Sequence, residues 1–269
     1  MVEARRRRPE GVARLVLLGV GLYLLGLLVV PLGALVLQVL THLGEVGVAL
    51  ASPEARAALG LSAGVAAASV ICNGIFGVAG AIVLTRHRFL GRRLLDALVD
   101  LPLALSPVMT GLAFLLLFGR SGLLYPAIEA LDLQVAFAWP GVLLATLFVT
   151  LPFTLREVAL VLAEVGDSEE QAAATLGATP WQTFWRVTLP NIRHGLVLGT
   201  TLTLARALGE FGAVLVLGGG IANRTQTATT FIHATVEERQ EPAAFGMALI
   251  LAAAAVLLLG VLESRRRPT

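Results

Sequence analysis

Residues 15–44 read LVLLGVGLYLLGLLVVPLGALVLQVLTHLG, thirty positions without one charged side chain. A helix rises about 1.5 Å per residue, so crossing roughly 30 Å of hydrocarbon takes about 20 apolar residues. Helix is also the form in which a single segment pairs its own backbone N–H and C=O groups, as lipid requires. The run is long enough, and it has companions. Charge-free stretches also cover 57–85, 101–119, 133–155 and 242–262. A sixth stretch, 194–223, is long enough to span but carries Arg206 and Glu210. The pattern predicts an all-α membrane protein of six transmembrane helices in one domain over 1–269, with both termini on the same side.

Composition agrees. The 269 residues are 57% hydrophobic and 14% charged, whereas soluble domains carry about 25% charged residues. Disorder is excluded by the scarcity of polar residues, and a disulfide scaffold by the single cysteine, Cys72. All 20 basic residues are arginine. Without lysine a phosphate-cradling G-x-x-x-x-G-K-[ST] loop cannot be built, and Gly218-Gly219-Gly220 is not one. If ATP drives this chain, another subunit hydrolyses it. Schiff-base chemistry is excluded on the same ground. His42, His87, His194 and His233 are scattered without metal-ligand spacing, so neither metal nor cofactor is expected, and nucleic acid is not an expected partner.

Arginine counting sets the orientation. The N-terminal arm (Arg5–Arg8, Arg14), the loop after the second span (Arg86, Arg88, Arg92, Arg93), the loop after the fourth (Arg156, Arg186, Arg193) and the tail (Arg265–Arg267) hold 15. The opposite face holds 4: Arg56, Arg120, Arg224 and Arg239. The positive-inside rule places the 15 and both termini in the cytoplasm. Ala49-Leu50-Ala51 has the small-residue form of a signal-peptidase site. The apolar run before it is far longer than the roughly 7–15 residues of a signal peptide, so the first helix is expected to stay.

The cytoplasmic segment 156–195 is too long for a hairpin turn and has structure of its own. Ser168-Glu169-Glu170-Gln171 has the form of a capping box, with Asp167 as the rival cap. Ala172-Ala173-Ala174 favours helix, and Gly177 supplies a left-handed stop. Thr179-Pro180-Trp181-Gln182 starts a second helix, with Trp181, Phe184 and Trp185 on one face and Leu189-Pro190 as its expected end. The aromatic stripe fits either interfacial anchoring or packing against the spans. The alanine face of the first helix admits close approach by another surface and points to docking.

The run Gln171-Ala172-Ala173, Gly177, Val187, Leu189-Pro190 resembles the EAA loop of bacterial ABC-importer permeases, whose pattern is E-A-A-x3-G-x9-I-x-L-P. Gln171 stands in place of Glu, with Glu170 just before it, and Val187 stands in place of Ile. Val99-Asp100-Leu101-Pro102 through Ser106-Pro107, Thr150-Leu151-Pro152-Phe153, and Ala205-Arg206-Ala207-Leu208-Gly209-Glu210-Phe211-Gly212-Ala213 resemble the sulfate, thiosulfate and molybdate branch. Within it the chain looks most like the W-type permease subunits of sulfate/thiosulfate importers. The resemblance implies the type I ABC-importer permease fold in a bacterial inner membrane. It also implies a soluble ABC ATPase dimer docked at 156–195, a second, T-type permease subunit, and an extracytoplasmic sulfate-binding protein. Permeation of molybdate or tungstate is the neighbouring alternative, and a secondary anion transporter or channel the different class. The outer face sets 4 arginines against the 7 acids Glu45, Glu54, Glu129, Asp132, Glu237, Glu238 and Glu241, which argues against a channel drawing anions by itself.

Arg206 and Glu210 are spaced i, i+4, so they sit one above the other on one helix face. Each would cost about 2.5–3.5 kcal/mol at the centre of a lipid-facing helix, so both should face protein or water. The pair reads either as a structural salt bridge or as part of an anion route, with Thr200, Thr201 and Thr203 as hydroxyl donors and Gly209 and Gly212 allowing close helix approach. Asn73 reads as a helix–helix hydrogen bond and Ser106-Pro107 as a kink. The loop 86–100, with Arg92, Asp96 and Asp100 along one face, reads as a solvated amphipathic helix, which the resemblance allows to brace the docking loop.

Overall fold

The computed structural model describes residues 10–265, with the side chains of 13–260. Arg5–Arg8, Arg266 and Arg267, counted above for orientation, lie outside the described residues, as does the side chain of Arg265.

The chain runs through helices α1 (Glu10–Thr41), α2 (Leu43–Leu50), α3 (Pro53–Arg86), α4 (Arg92–Ala104), α5 (Pro107–Phe118), α6 (Tyr125–Ala130) and α7 (Trp139–Val165). It continues through α8 (Ser168–Thr175), α9 (Pro180–Thr183), a wide π turn (Phe184–Thr188), α10 (Leu189–Leu208), α11 (Gly212–Gly218), α12 (Ala228–Glu237) and α13 (Glu241–Arg265). Four helices, α1, α3, α7 and α13, are long and apolar enough to cross a membrane unbroken, and the count reaches six when two bent pairs are each taken as one span. The six expected spans correspond to these four helices and the two bent pairs, the third and fifth in chain order.

The third differs most. The charge-free stretch 101–119 straddles a 113° bend between α4 and α5. Pro107 is the cause: its ring excludes the helical conformation at the residue before it, and Ser106 is extended at φ −63°, ψ 138°. The twelve residues of α5 rise only about 18 Å, so the expected kink is a full break. In the fifth span, α9, the π turn and α10 run on as one helix that bends 56° into α11.

The centre of the bundle is the trio α3, α7 and α10. Toward Arg86 and the end of α7 it encloses a cluster of Val78, Ala81, Leu84, Leu155, Val158, Leu162 and Ile192, joined by Val99 of α4. The opposite half is built from Val65, Val142, Ala145, Val149, Ala213, Val214 and Leu217. The buried side of α10 is a stripe of small residues, Gly195, Gly199, Thr203 and Ala207, below Ile192. A Cβ at Gly199 would lie 2.6 Å from the Thr154 Cα of α7, so the two backbones touch where only glycine fits. Asn73 in α3 donates to Leu147 O and to Thr150 Oγ1 in α7, at 3.1 and 2.8 Å, the helix–helix bond its sequence position suggested. α1 is apolar and exposed over most of its length.

Contacts sort the loops into two faces that agree with the arginine count. At one end Arg156 binds Asp96 and Asp100 of α4, and Arg86 binds Glu170. At the other, Arg224 donates to Gln134 at 2.7 Å and Asn223 approaches Glu54 at 3.5 Å. The α4 carboxylates thus hold Arg156, where the segment 156–195 begins within α7, while α8 is held by Arg86.

Candidate functional site

Within the segment 156–195, residues 166–179 are the part that lies between the two long helices. Residues 156–165 complete α7, and 180–195 belong to the helix that becomes α10. Leu189-Pro190 therefore does not end a helix. Proline lacks an N–H and its ring crowds the carbonyl one turn back. Here the chain widens by one residue, with the Leu189 N–H reaching back to Phe184 O, and the helix passes through.

Gly166, at φ 72°, turns the chain out of α7 and into α8. The expected capping box does not form: Ser168 lies inside the first turn and Asp167 makes no side-chain cap bond. The acids of that turn reach into the bundle. Glu169 Oε2 accepts from Asn191 Nδ2 at 2.7 Å, and Glu170 Oε1 accepts from Thr188 Oγ1 at 2.8 Å. Arg86, the last residue of α3, meets Glu170 Oε2 through Nε at 3.0 Å. The same guanidinium donates to Leu162 O at 3.0 Å and Gly166 O at 2.5 Å. Those are terminal carbonyls of α7, where the helix dipole favours a cation.

The stop at Gly177 is as expected. At φ 83° it lets its own N–H bond Ala174 O and the Ala178 N–H bond Ala173 O, both at 3.0 Å. The second capping box is present in full between Thr179 and Gln182. What α8 offers outward is Gln171, Ala172, Thr175 and above all Leu176, which is 89% exposed; Ala173 is half-buried. Val187 and Leu189 are half-buried in the π turn and the start of α10, and Pro190 is exposed. Of the aromatic stripe, Phe184 packs on the core while Trp181 and Trp185 remain exposed, edge to face at 5.5 Å. Sequence reasoning missed Arg86 and Leu176. A leucine on an otherwise alanine-and-polar helix, one position before its glycine stop, was a signal available for the second.

The other constellation lies where the fifth span breaks. α10 ends at Leu208, so Glu210 is outside the helix and the pair bridges the break rather than lying along one continuous face. The Arg206 Nη1 still lies 2.7 Å from Glu210 Oε2, with side-chain exposures of 31% and 1%. Glu210 Oε1 accepts the Ala213 N–H at 3.0 Å, capping α11, and its carbonyl accepts Thr229 Oγ1 at 2.6 Å. Glu210 therefore fastens α10, α11 and α12 together. Gly212 sets the start of α11 against the start of α5, its Cβ position 3.1 Å from Pro107 Cβ, so the two broken spans meet at their breaks. Gly209 makes no comparable approach, having only its own helix's carbonyls nearby. Thr203 is fully buried and shares a 2.9 Å hydrogen bond with Thr154. Thr200 and Thr201 bond Leu196 O and Val197 O of their own helix. Thr203 thus joins α10 to α7, while the Thr200 and Thr201 hydroxyls are spent within α10.

Apolar helices long enough to cross a membrane, two bent pairs that meet at their breaks, and a short helix tied to the bundle by Arg86 and Glu170 make up a polytopic transmembrane protein. The chain belongs to the family of binding-protein-dependent transport system inner membrane components, which it matches over residues 74–264. It is 40% identical to the sulfate transport system permease protein CysW of Synechococcus elongatus, over 98% of this chain and 96% of that one. It is also 40% identical to the sulfate transport system permease protein CysT of Escherichia coli K12, over 89% and 88%. Among solved structures, a chain of the bacterial alginate ABC transporter in complex with its alginate pentasaccharide-bound periplasmic protein superposes with a TM-score of 0.78 at 17% identity, over 96% of this chain and 95% of that one. That likeness fixes the fold as that of an ABC-importer permease.

Proposed function

We propose that this chain is the W-type permease subunit of an ATP-driven importer that carries sulfate or thiosulfate into the cytoplasm of a bacterium across its inner membrane. The observation that carries the reading is α8: a short helix on the arginine-rich face, followed by an exposed leucine and tied through Glu169 and Glu170 to α3, the π turn and α10, beside end-to-end likeness to a CysW protein. The chain supplies the route and the transmission. ATP hydrolysis belongs to a separate ABC ATPase dimer, since a chain without lysine has no phosphate-binding loop of the common kind. The remaining partners are a T-type second permease and an extracytoplasmic sulfate-binding protein.

In this reading Gln171, Ala172 and Leu176 form the docking surface, with Ala173 and Gly177 shaping it and Val187, Leu189 and Pro190 forming its base. Arg206 and Glu210 lie on the anion route, and Thr200 and Thr203 hold the helix that carries them. A half-exposed guanidinium beside the junction of two broken spans is a donor of the kind an oxyanion needs. The test is radiolabelled sulfate uptake by the assembled complex, with thiosulfate, molybdate and tungstate as competitors. Competition by thiosulfate at concentrations where molybdate and tungstate have no effect is expected. Uptake of molybdate in preference to sulfate would move the chain to the neighbouring branch, because the Arg206–Ala213 motif belongs to both.

A further inference from the structure

We propose that Arg86 is the positioning residue through which the docking helix moves the spans; this rests on the reading of α8 as the ATPase-docking element. α8 has no buried residue of its own. An apolar interface therefore does not hold it to the bundle. Its two covalent joints each contain a glycine in the left-handed region, Gly166 at φ 72° and Gly177 at φ 83°, and joints of this kind bend before they push. A force applied at Leu176 needs another path into the membrane.

Side chains supply it. Arg86 Nε and Nη2 face Glu170 Oε2 and Oε1 at 3.0 and 3.5 Å, while Nη1 and Nη2 donate to Leu162 O and Gly166 O. One planar group thus joins α8 to the cytoplasmic ends of both α3 and α7. Glu170 continues the path to the π turn through Thr188, and Glu169 reaches α10 through Asn191. The Arg86 and Glu170 side chains are only 15% and 22% exposed, so water competes weakly for these charge-assisted bonds. The arrangement also divides the two acidic-end positions of the docking motif. Glu170 turns inward to grip the permease, and Gln171 is left outward for the partner. Lysine has no fork with which to hold a carboxylate and two carbonyls together.

The experiment uses the full complex of both permeases, ATPase and binding protein in proteoliposomes, comparing wild type with Arg86→Lys, which keeps the cation at the end of α7, and with Glu170→Gln. Retained ATPase, ATP hydrolysis and sulfate uptake are measured on the same preparation. Arg86→Lys is expected to keep its ATPase bound while the sulfate moved per ATP falls about tenfold, the factor carried by about 1.4 kcal/mol of lost coupling. Glu170→Gln is expected to fall in the same direction. A wild-type ratio of sulfate to ATP in Arg86→Lys overturns the proposal. Loss of the ATPase from that variant also overturns it, because Arg86 would then serve docking and not transmission. The docking reading is scored separately by ATPase retention in Leu176→Asp: if that variant keeps its ATPase, the docking surface is wrong whatever Arg86 does.

Discussion

Replacing Arg206 by glutamine should injure the protein far more than replacing Glu210, although the two are partners in one ion pair. The Glu210 side chain is 1% exposed and that of Arg206 31%. Arg206→Gln strands a buried carboxylate, and breaking a buried pair from one side costs about 3–5 kcal/mol. Because the guanidinium is partly hydrated in the native state, the lower end, about 3 kcal/mol, is the expected loss. Glu210→Gln keeps an amide oxygen for the Ala213 N–H and leaves Arg206 its share of water, so about 1 kcal/mol is lost. The double variant, with no charge to strand, should return to about 1 kcal/mol. Exchanging the two residues is a poorer test, since it puts a guanidinium where the Ala213 N–H needs an acceptor. The assay is thermal unfolding of the assembled complex beside sulfate uptake per complex. If Arg206 serves the anion, the double variant is stable yet transports poorly, while Glu210→Gln still transports. Equal stability of the two single variants would refute the burial argument, and normal uptake by the double variant would make the pair a fastening only.

Leu176→Ala removes apolar surface that is 89% exposed, so the permease should fold normally while ATPase affinity falls by about 2 kcal/mol, roughly 30-fold; a titration of detergent-solubilised permease with ATPase reads it. Gly199→Ala forces a Cβ to within 2.6 Å of the Thr154 Cα, and about 1–3 kcal/mol of stability should be lost, seen as a lower Tm of the complex with unchanged ATPase binding. Thr179→Ala removes one half of the capping box on α9 and should weaken the start of that helix by about 1 kcal/mol, measured as faster amide exchange at Gln182 and Thr183.

Features set by composition or by a few neighbouring residues were legible in the sequence. Five apolar runs and the arginine asymmetry carry the six-span plan because the bilayer imposes length and charge rules on each segment alone. Gly177 and the Thr179–Gln182 box were legible because their partners lie within five residues. Ser168-x-x-Gln171 matched its pattern and still failed: Asn191, Thr188 and Arg86 draw the acids of that turn inward. Pro190 was misread because a widened turn absorbs it, and nothing in the local residue types announces that widening. The Arg206–Glu210 spacing led to the right contact through the wrong geometry, since the helix stops between them. Gly195-x3-Gly199-x3-Thr203 was a readable stripe of small residues. The clamp at Arg86 was beyond reach: its partner is 84 positions away, and only the packing of α3 on α7 brings them together.

Flux with and without the ATPase tests the central claim most directly. Proteoliposomes holding this chain with a T-type permease, an ABC ATPase and a sulfate-binding protein should accumulate sulfate only when ATP is present on the ATPase side. Vesicles holding the permease chains alone should move none, whatever ion gradient is imposed. Sulfate flux driven by a gradient through this chain without an ATPase would contradict it and identify a secondary transporter.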